Sequence, residues 1–258
     1  MSENNVQKQT IKWCGYNWKS TMEGGRLIHP STPWYWFSMD CTNVDENNVL
    51  HIFSRKNPKE FKYWDGKIYK PSMEVGTLRT IESFEFGYFS AEIMMPMGKN
   101  LSASFWLSGA GNWPPEIDIE EGWIEDNGTY YRTFEDYFPW IRPSWRTTNN
   151  VHYRKDDMTT ANIGSYNVSL LKQPKDPAKN YIKYECEWLP NSIKFYANGK
   201  KTKSVSKSVC QKLIRNLTDP EKGFRMNVIL NVWTDNPAIC EVSQSTDMLV
   251  RNFKYEEA

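Results

Sequence analysis

Between Trp113 and Trp123 the chain reads Trp-Pro-Pro-Glu-Ile-Asp-Ile-Glu-Glu-Gly-Trp, which places the carboxylates of Glu116, Asp118, Glu120 and Glu121 within six residues. Acids alternate with isoleucines at a period of two, so the segment is predicted to be a β-strand with one apolar and one acidic face. Two prolines and β-branched neighbours disfavour a long helix here. Like charges lined up on one face repel, and a chain rarely adopts that arrangement for stability alone. Two carboxyl groups held close are what cleavage of a glycosidic bond requires: one protonates the leaving oxygen, the other attacks the sugar carbon or directs water at it. On an unbroken strand Glu116, Asp118 and Glu120 share a face, with Cα atoms four residues apart separated by roughly 13 Å. Two glutamates leaning inward from a concave sheet close most of that gap. A separation of about 5–5.5 Å belongs to the mechanism that retains configuration through a covalent glycosyl-enzyme intermediate. Crowding should raise the pKa of one acid and keep a proton available near neutral pH. The competing reading is an exposed acidic edge strand, whose charges discourage aggregation.

The elements that must position these acids are short. Strands are predicted at 49–54, 75–79, 87–95, 103–108, 116–121, 129–132, 150–154, 164–170, 181–188, 192–197, 224–233 and 248–255, separated by Gly, Pro, Asn and Asp clusters. Such spacing implies an all-β sandwich or jelly roll of two curved antiparallel sheets. Pro190-Asn191 reads as a hairpin turn, and Asn198-Gly199 as a turn favouring positive φ. The one predicted helix is short, near 209–217, and the lysine-rich run 200–212 reads as a solvated turn region. No repeat or linker divides the chain, so residues 1–258 are read as one domain.

Composition narrows the functions. With 32 basic and 31 acidic residues the net charge is +1, which gives no footprint for nucleic acid or an anionic membrane. No apolar run approaches the ~20 residues of a membrane span. Aromatic residues make up 15% of the chain, enough to serve both a sandwich core and rings that stack on pyranose faces. The N-terminus lacks an apolar signal core, so the protein is intracellular, or extracellular or periplasmic if a signal was removed. Cys14, Cys41, Cys186, Cys210 and Cys240 show no metal-ligand spacing and read as dispersed apolar residues. The sequons at Asn100, Asn127, Asn167 and Asn216 matter only in a glycosylating pathway.

The acidic segment resembles the signature of glycoside hydrolase family 16, E-[ILV]-D-x-(x)-E, in which the optional residue is a β-bulge. The resemblance extends to Phe84–Ile93, Ala103–Leu107, Tyr184–Lys200, Met226–Trp233 and Met248–Tyr255, in order, and is weaker before residue 70. It implies a concave jelly roll and retaining, endo-acting cleavage of β-linked glucans or galactans. Glu116 then corresponds to the nucleophile and Asp118 to its supporting carboxylate. Two readings of the acid/base stand: Glu120 if the strand is regular, Glu121 if it is bulged. A regular strand would point Glu121 at the core with the isoleucines, a costly place for a charge, and that favours the bulge.

Around this core, Trp113 is placed at the floor of the sugar subsite beside the cleaved bond. Trp106 reads as partly core, while Trp233 after Asn231 matches a substrate-stacking position. Trp123 belongs to the same candidate set. His152 lies on a strand that in the family often carries a histidine near the acid/base, and Arg79 either reaches the cleft or sits on the surface. The segment 130–155 carries Arg132, Arg142, Arg146, Arg154 and Lys155 among aromatics. As a cleft-side loop it would suit a sugar bearing sulfate or carboxylate. The partner expected is a polysaccharide or oligosaccharide, met by a monomer. No cofactor is expected; some members of the family hold a structural calcium, for which no dense Asp cluster speaks here. A transglycosylase using the same residues and a lectin-like binding sandwich are the alternatives.

Overall fold

The computed structural model describes residues 10–20, 27–29, 32–63, 66–98, 101–109, 113–123, 148–163, 176–216, 225–234 and 247–258. Strands are numbered in chain order. One sheet has ten: β1 (Thr10–Trp13), β2 (Tyr16–Lys19), β3 (Tyr35–Ser38), β6 (Ser54–Lys56), β9 (Met73–Thr80), β11 (Leu101–Gly109), β12 (Glu116–Trp123), β13 (Asn150–Arg154), β14 (Thr160–Asn162) and β18 (Met226–Thr234). Its main path runs β1-β2-β9-β18-β11-β12-β13-β14, and β3 and β6 pair with the first half of β9. The second sheet orders β17 (Lys200–Val205), β16 (Ser192–Ala197), β15 (Ile182–Leu189), β10 (Gly87–Met94), β19 (Met248–Glu257), β5 (Leu50–Ile52) and β4 (Thr42–Val44). A small ribbon joins β7 (Phe61–Lys62) to β8 (Ile68–Tyr69), and α1 covers Lys207–Asn216. All pairings are antiparallel except β3 with β9.

The two sheets face each other across one apolar cluster. Ala103, Phe105 and Leu107 of β11, Val228, Leu230 and Val232 of β18, and Ile117 and Ile119 of β12 meet Phe89, Ala91, Ile93, Cys186, Trp188 and Phe195 of the opposite sheet. Each of these strands alternates inward apolar with outward polar residues, as the period of two demands. The aromatic load thus serves the core in part: Trp18 and Phe253 meet edge to face at 5.4 Å and tie the β1–β2 hairpin to β19. A Cβ on Gly76 would strike the carbonyl oxygen of Cys41, so only glycine lets β9 pass so close to its neighbour.

The fold is the expected all-β sandwich, and both turns are as predicted. Leu189 pairs with Ser192 across Pro190-Asn191, and Asn198 and Gly199 take positive φ of 48° and 72° between β16 and β17. The run 200–212 is a correction. It forms edge strand β17 and the start of α1, because Lys200 and Lys201 stand in water on an edge strand while the backbone pairs with β16. Cys41, Cys186 and Cys210 are buried free thiols and Cys14 is half-buried. The predicted strands 129–132 and 164–170, Cys240 and the arginines 132, 142 and 146 lie outside the described residues. No helix among the described residues is long and apolar enough to cross a membrane.

Glu74 of β9 is fully buried and accepts hydrogen bonds from Arg55 Nε at 2.6 Å and Asn57 Nδ2 at 2.7 Å. Burial alone would raise its pKa; the bonds from Arg55, Ser38 and Asn57 outweigh burial and hold it below the ordinary carboxylate value. Arg55→Ala should therefore destabilise the fold by about 1–3 kcal/mol at neutral pH. A carboxylate with a lowered folded-state pKa stabilises above its unfolded value of roughly 4.3, and that contribution is lost as pH falls through the folded value. In urea melts the gap between variant and wild type should narrow below roughly pH 4; a gap constant with pH would refute the pairing.

Candidate active site

On the face of the ten-stranded sheet away from the core lies a cleft of about 500 Å³. Its walls come from β3, β9, β11, β12 and β18, and include Tyr35, Arg79, Trp106, Glu116, Asp118, Glu121, Asn231 and Trp233. Neighbouring strands present these side chains in rows. Asp118 lies opposite Trp106, Trp106 opposite Ile229, and Ile229 opposite Arg79. One step along, Glu121 lies opposite Ser104 and Ser104 opposite Asn231.

The register of β12 against β11 shifts between Phe105 and Trp106: Phe105 pairs with Glu120 and Trp106 with Asp118, so Ile119 is the extra residue of a bulge. The bulge inverts the alternation beyond it. Glu121 joins Glu116 and Asp118 in the cleft, and Glu120, 1% exposed, turns inward beside Ile119. This excludes Glu120 from the cleft and corrects the regular-strand reading in which it shared a face with Glu116. A neighbouring segment holds the bulge: Asn149 Nδ2 donates to the Ile119 carbonyl at 2.6 Å, and the Glu121 N–H donates to the Thr148 carbonyl at 3.1 Å. Asn149 is held in turn by Thr202 Oγ1 at 2.6 Å and Lys203 Nζ at 3.0 Å, both from β17.

Each carboxyl has its own surroundings. Glu116 Oε2 accepts from Trp113 Nε1 at 2.8 Å, and its Oε1 lies 3.3 Å from His152 Nε2. Asp118 Oδ2 lies 3.4 Å from the same nitrogen. Burial, then the neighbouring Asp118 charge, pushes Glu116 well above the ordinary carboxylate value, with the Trp113 N–H opposing. Burial and the Asp118 charge push Glu121 up to about 9. Burial also raises Glu120 well above its ordinary value, against a backbone hydrogen bond from Thr148.

The aromatic residues are fixed by their own N–H groups. Trp106 Nε1 donates to Asn231 Oδ1 at 2.8 Å, and Trp233 Nε1 to Ser104 Oγ at 3.1 Å. Both rings line the cleft, so Trp106 belongs to the site more than its sequence reading allowed. Trp113 is 51% exposed at the rim, where Arg154 Nη2 donates to its carbonyl at 3.1 Å. Arg79 reaches the cleft and donates to Asn227 Oδ1 at 2.8 Å. His152 pairs with Glu116 across β12–β13, which puts it on the side of Glu116 and Asp118 rather than beside Glu121. The side chain of Trp123 lies outside the described residues. Sequence reasoning missed His29, Thr32, Tyr35 and Phe37 on the far wall; the aromatic run Trp34-Tyr35-Trp36-Phe37 was the available signal.

A sandwich with a concave, carboxylate-lined and tryptophan-walled cleft defines a carbohydrate-cleaving class of protein. The family model for glycosyl hydrolases family 16 matches residues 43–247, and the chain belongs to that family. It is a glycoside hydrolase. No curated protein sequence matches the chain. Among solved structures, the κ-carrageenase from Pseudoalteromonas carrageenovora, complexed with a κ-carrageenan oligotetrasaccharide, is similar at 14% identity and a TM-score of 0.62, over 99% of this chain and 100% of that one. One of the endo-acting O-glycanases that human gut bacteria express to initiate mucin breakdown is similar at 16% identity and a TM-score of 0.64, over 93% and 84%. The catalytic domain of an endo-1,3-β-glucanase from Thermotoga petrophila RKU-1 is similar at 17% and 0.54, over 87% and 83%. At these identities the likeness establishes the fold.

Glu120 Oε2 is buried without a hydrogen-bond partner. Glu120→Met should therefore raise the unfolding free energy at pH 8 by about 1–3 kcal/mol, through loss of a buried carboxyl. Turnover should change by less than about fivefold, because the side chain points away from the cleft. Calorimetric melts and initial rates check both; loss of turnover with an unchanged melting temperature would return Glu120 to the site.

Proposed function

We propose that the chain is a retaining, endo-acting hydrolase of a β-linked polysaccharide, a glucan or a galactan, with Glu116 as nucleophile and Glu121 as acid/base. The observation that carries this is the bulge at Ile119, which brings Glu116, Asp118 and Glu121 onto one wall of the cleft. Glu121, raised to about 9, holds its proton at neutral pH and can deliver it to the leaving glycosidic oxygen. Glu116 is aimed by the Trp113 N–H and hydrogen-bonded to Asp118. Asp118 holds its orientation through that hydrogen bond, and Glu116 attacks the anomeric carbon in its carboxylate form, which the Trp113 N–H favours. Once the glycosyl ester has formed, the leaving sugar departs. Glu121, now ionised, draws a proton from water, which opens the ester and restores the starting configuration. The Trp106 and Trp233 rings offer flat apolar surfaces to pyranose faces on the floor between β11 and β18. Arg79 supplies a guanidinium within reach of the bound chain, which suits a sulfated or carboxylated sugar.

Activity is to be assayed on laminarin, mixed-linkage glucan, agarose, porphyran and carrageenan. On the substrate that is cut, Glu116→Ala should lower kcat by about 10³-fold or more, and azide should return an α-glycosyl azide. Glu121→Ala should lower kcat by roughly 10²–10⁴-fold on a poor leaving group, and azide should trap the β-glycosyl azide. The opposite pair of anomers would exchange the two roles, and an unimpaired Glu116→Ala would end the reading.

A further inference from the structure

Asn150 and His152 are neighbours on one face of β13, and the amide of one lies against the imidazole of the other. The Val151 N–H donates to Asn150 Oδ1 at 2.9 Å, so the other end of that amide is Nδ2, a donor. Nδ2 lies 3.0 Å from His152 Nε2, the ring nitrogen that faces the acidic strand. Glu116 Oε1 and Asp118 Oδ2 stand 3.3 Å and 3.4 Å from that nitrogen. Asp118 is 3% exposed at its side chain, and its Oδ2 has no hydrogen-bond partner. Three potential ligand atoms thus converge within 4.8 Å of one another, and one of them, Asp118 Oδ2, is buried without a hydrogen-bond partner.

We infer that Glu116, Asp118 and His152 form a binding site for a transition divalent cation of the Zn²⁺ type, inside the cleft and independent of whether the chain hydrolyses a glycan. Tetrahedral zinc with bonds of about 2.0–2.1 Å sets its ligands about 3.3–3.4 Å apart, the spacing observed from Nε2 to each oxygen. One imidazole with two carboxylates suits zinc or copper over calcium or magnesium, which prefer all-oxygen shells. The ion replaces the Asn150 amide as partner of Nε2. With three protein ligands, the fourth position of a tetrahedral ion would be left to water. An ion so placed ties up both Glu116 and Asp118, so Zn²⁺ excludes any ligand that needs either carboxylate.

Calorimetric titration of the chelator-stripped protein with Zn²⁺, without sugar, tests this. One ion per chain with a micromolar dissociation constant is expected. His152→Gln and Asp118→Asn should each weaken binding by at least about 100-fold. The rival donors around His51, which lies 3.0 Å from Asp247 and 3.5 Å from Asp45, serve as the control, and His51→Gln should leave binding unchanged. Co²⁺ should show d–d absorption without a thiolate charge-transfer band. Variants are compared after their metal-free melting temperatures match wild type; if His152→Gln does not fold, Asp118→Asn decides. No binding by wild type, equal binding by the decisive variants, or loss in His51→Gln would overturn the site. Because no substrate is present, failure of the hydrolase reading leaves this result untouched.

Discussion

One inserted residue in one strand organises the site. Without the bulge at Ile119, strict alternation would point Glu121 into the apolar layer between the sheets and leave Glu120 in the cleft. With it, β12 buries Ile117 and Ile119 while Glu116, Asp118 and Glu121 occupy the other face. The bulge leaves the Ile119 carbonyl without its ladder partner, and a buried carbonyl without a partner is costly. Asn149 meets it, and Thr202 and Lys203 meet Asn149. Edge strand β17 of the opposite sheet thereby holds the backbone of β12. This gives the lysine-rich run 200–212 a structural purpose that solubility alone does not.

The cleft floor is rigid for a related reason. Polar groups on its rows are mostly committed to each other: Trp106 to Asn231, Trp233 to Ser104, Arg79 to Asn227, and Asn227 Nδ2 to the Thr80 and Glu82 carbonyls. Indoles locked through their N–H cannot swing, so they meet a sugar with shape fixed in advance and little ordering entropy left to lose. Trp113 differs, since its N–H goes to Glu116 and its ring stands half in solvent. It joins the rim of the cleft to Glu116.

Much of this was legible in the chain. Strands β13 and β16 have the bounds that alternation predicted, and both tight turns were written in Pro-Asn and Asn-Gly. The acidic face of β12 was legible as well, as far as Asp118. Beyond Asp118 the pattern left two readings and favoured the bulge only through the cost of burying Glu121; the partner strand and Asn149, which hold the bulge, do not appear in the local pattern. The β1–β2 hairpin escaped for a similar reason: Cys14-Gly15 makes its turn with φ of 50° and 88°, and cysteine is a weak turn signal. β3 is buried along its whole length and pairs in parallel with β9, so it shows no alternation to read. His152 was visible as a candidate, but its side of the site follows from pairing with Glu116, a long-range fact.

Burial raises both Glu116 and Glu121, and a site that merely desolvated two acids would protonate both and catalyse nothing. The proposed division of labour needs an asymmetry in their partners. Glu116 receives a fixed N–H from Trp113, which stabilises its carboxylate and opposes burial. For Glu121 the two contributions, burial and the Asp118 charge, both favour the protonated form. Asp118 between them acts on both in the same sense: its charge favours the protonated form of Glu121, and its charge and hydrogen bond favour the protonated form of Glu116. The surroundings of Glu116 and Glu121 thus differ by one indole N–H, on a strand whose sequence presents the two as near equals.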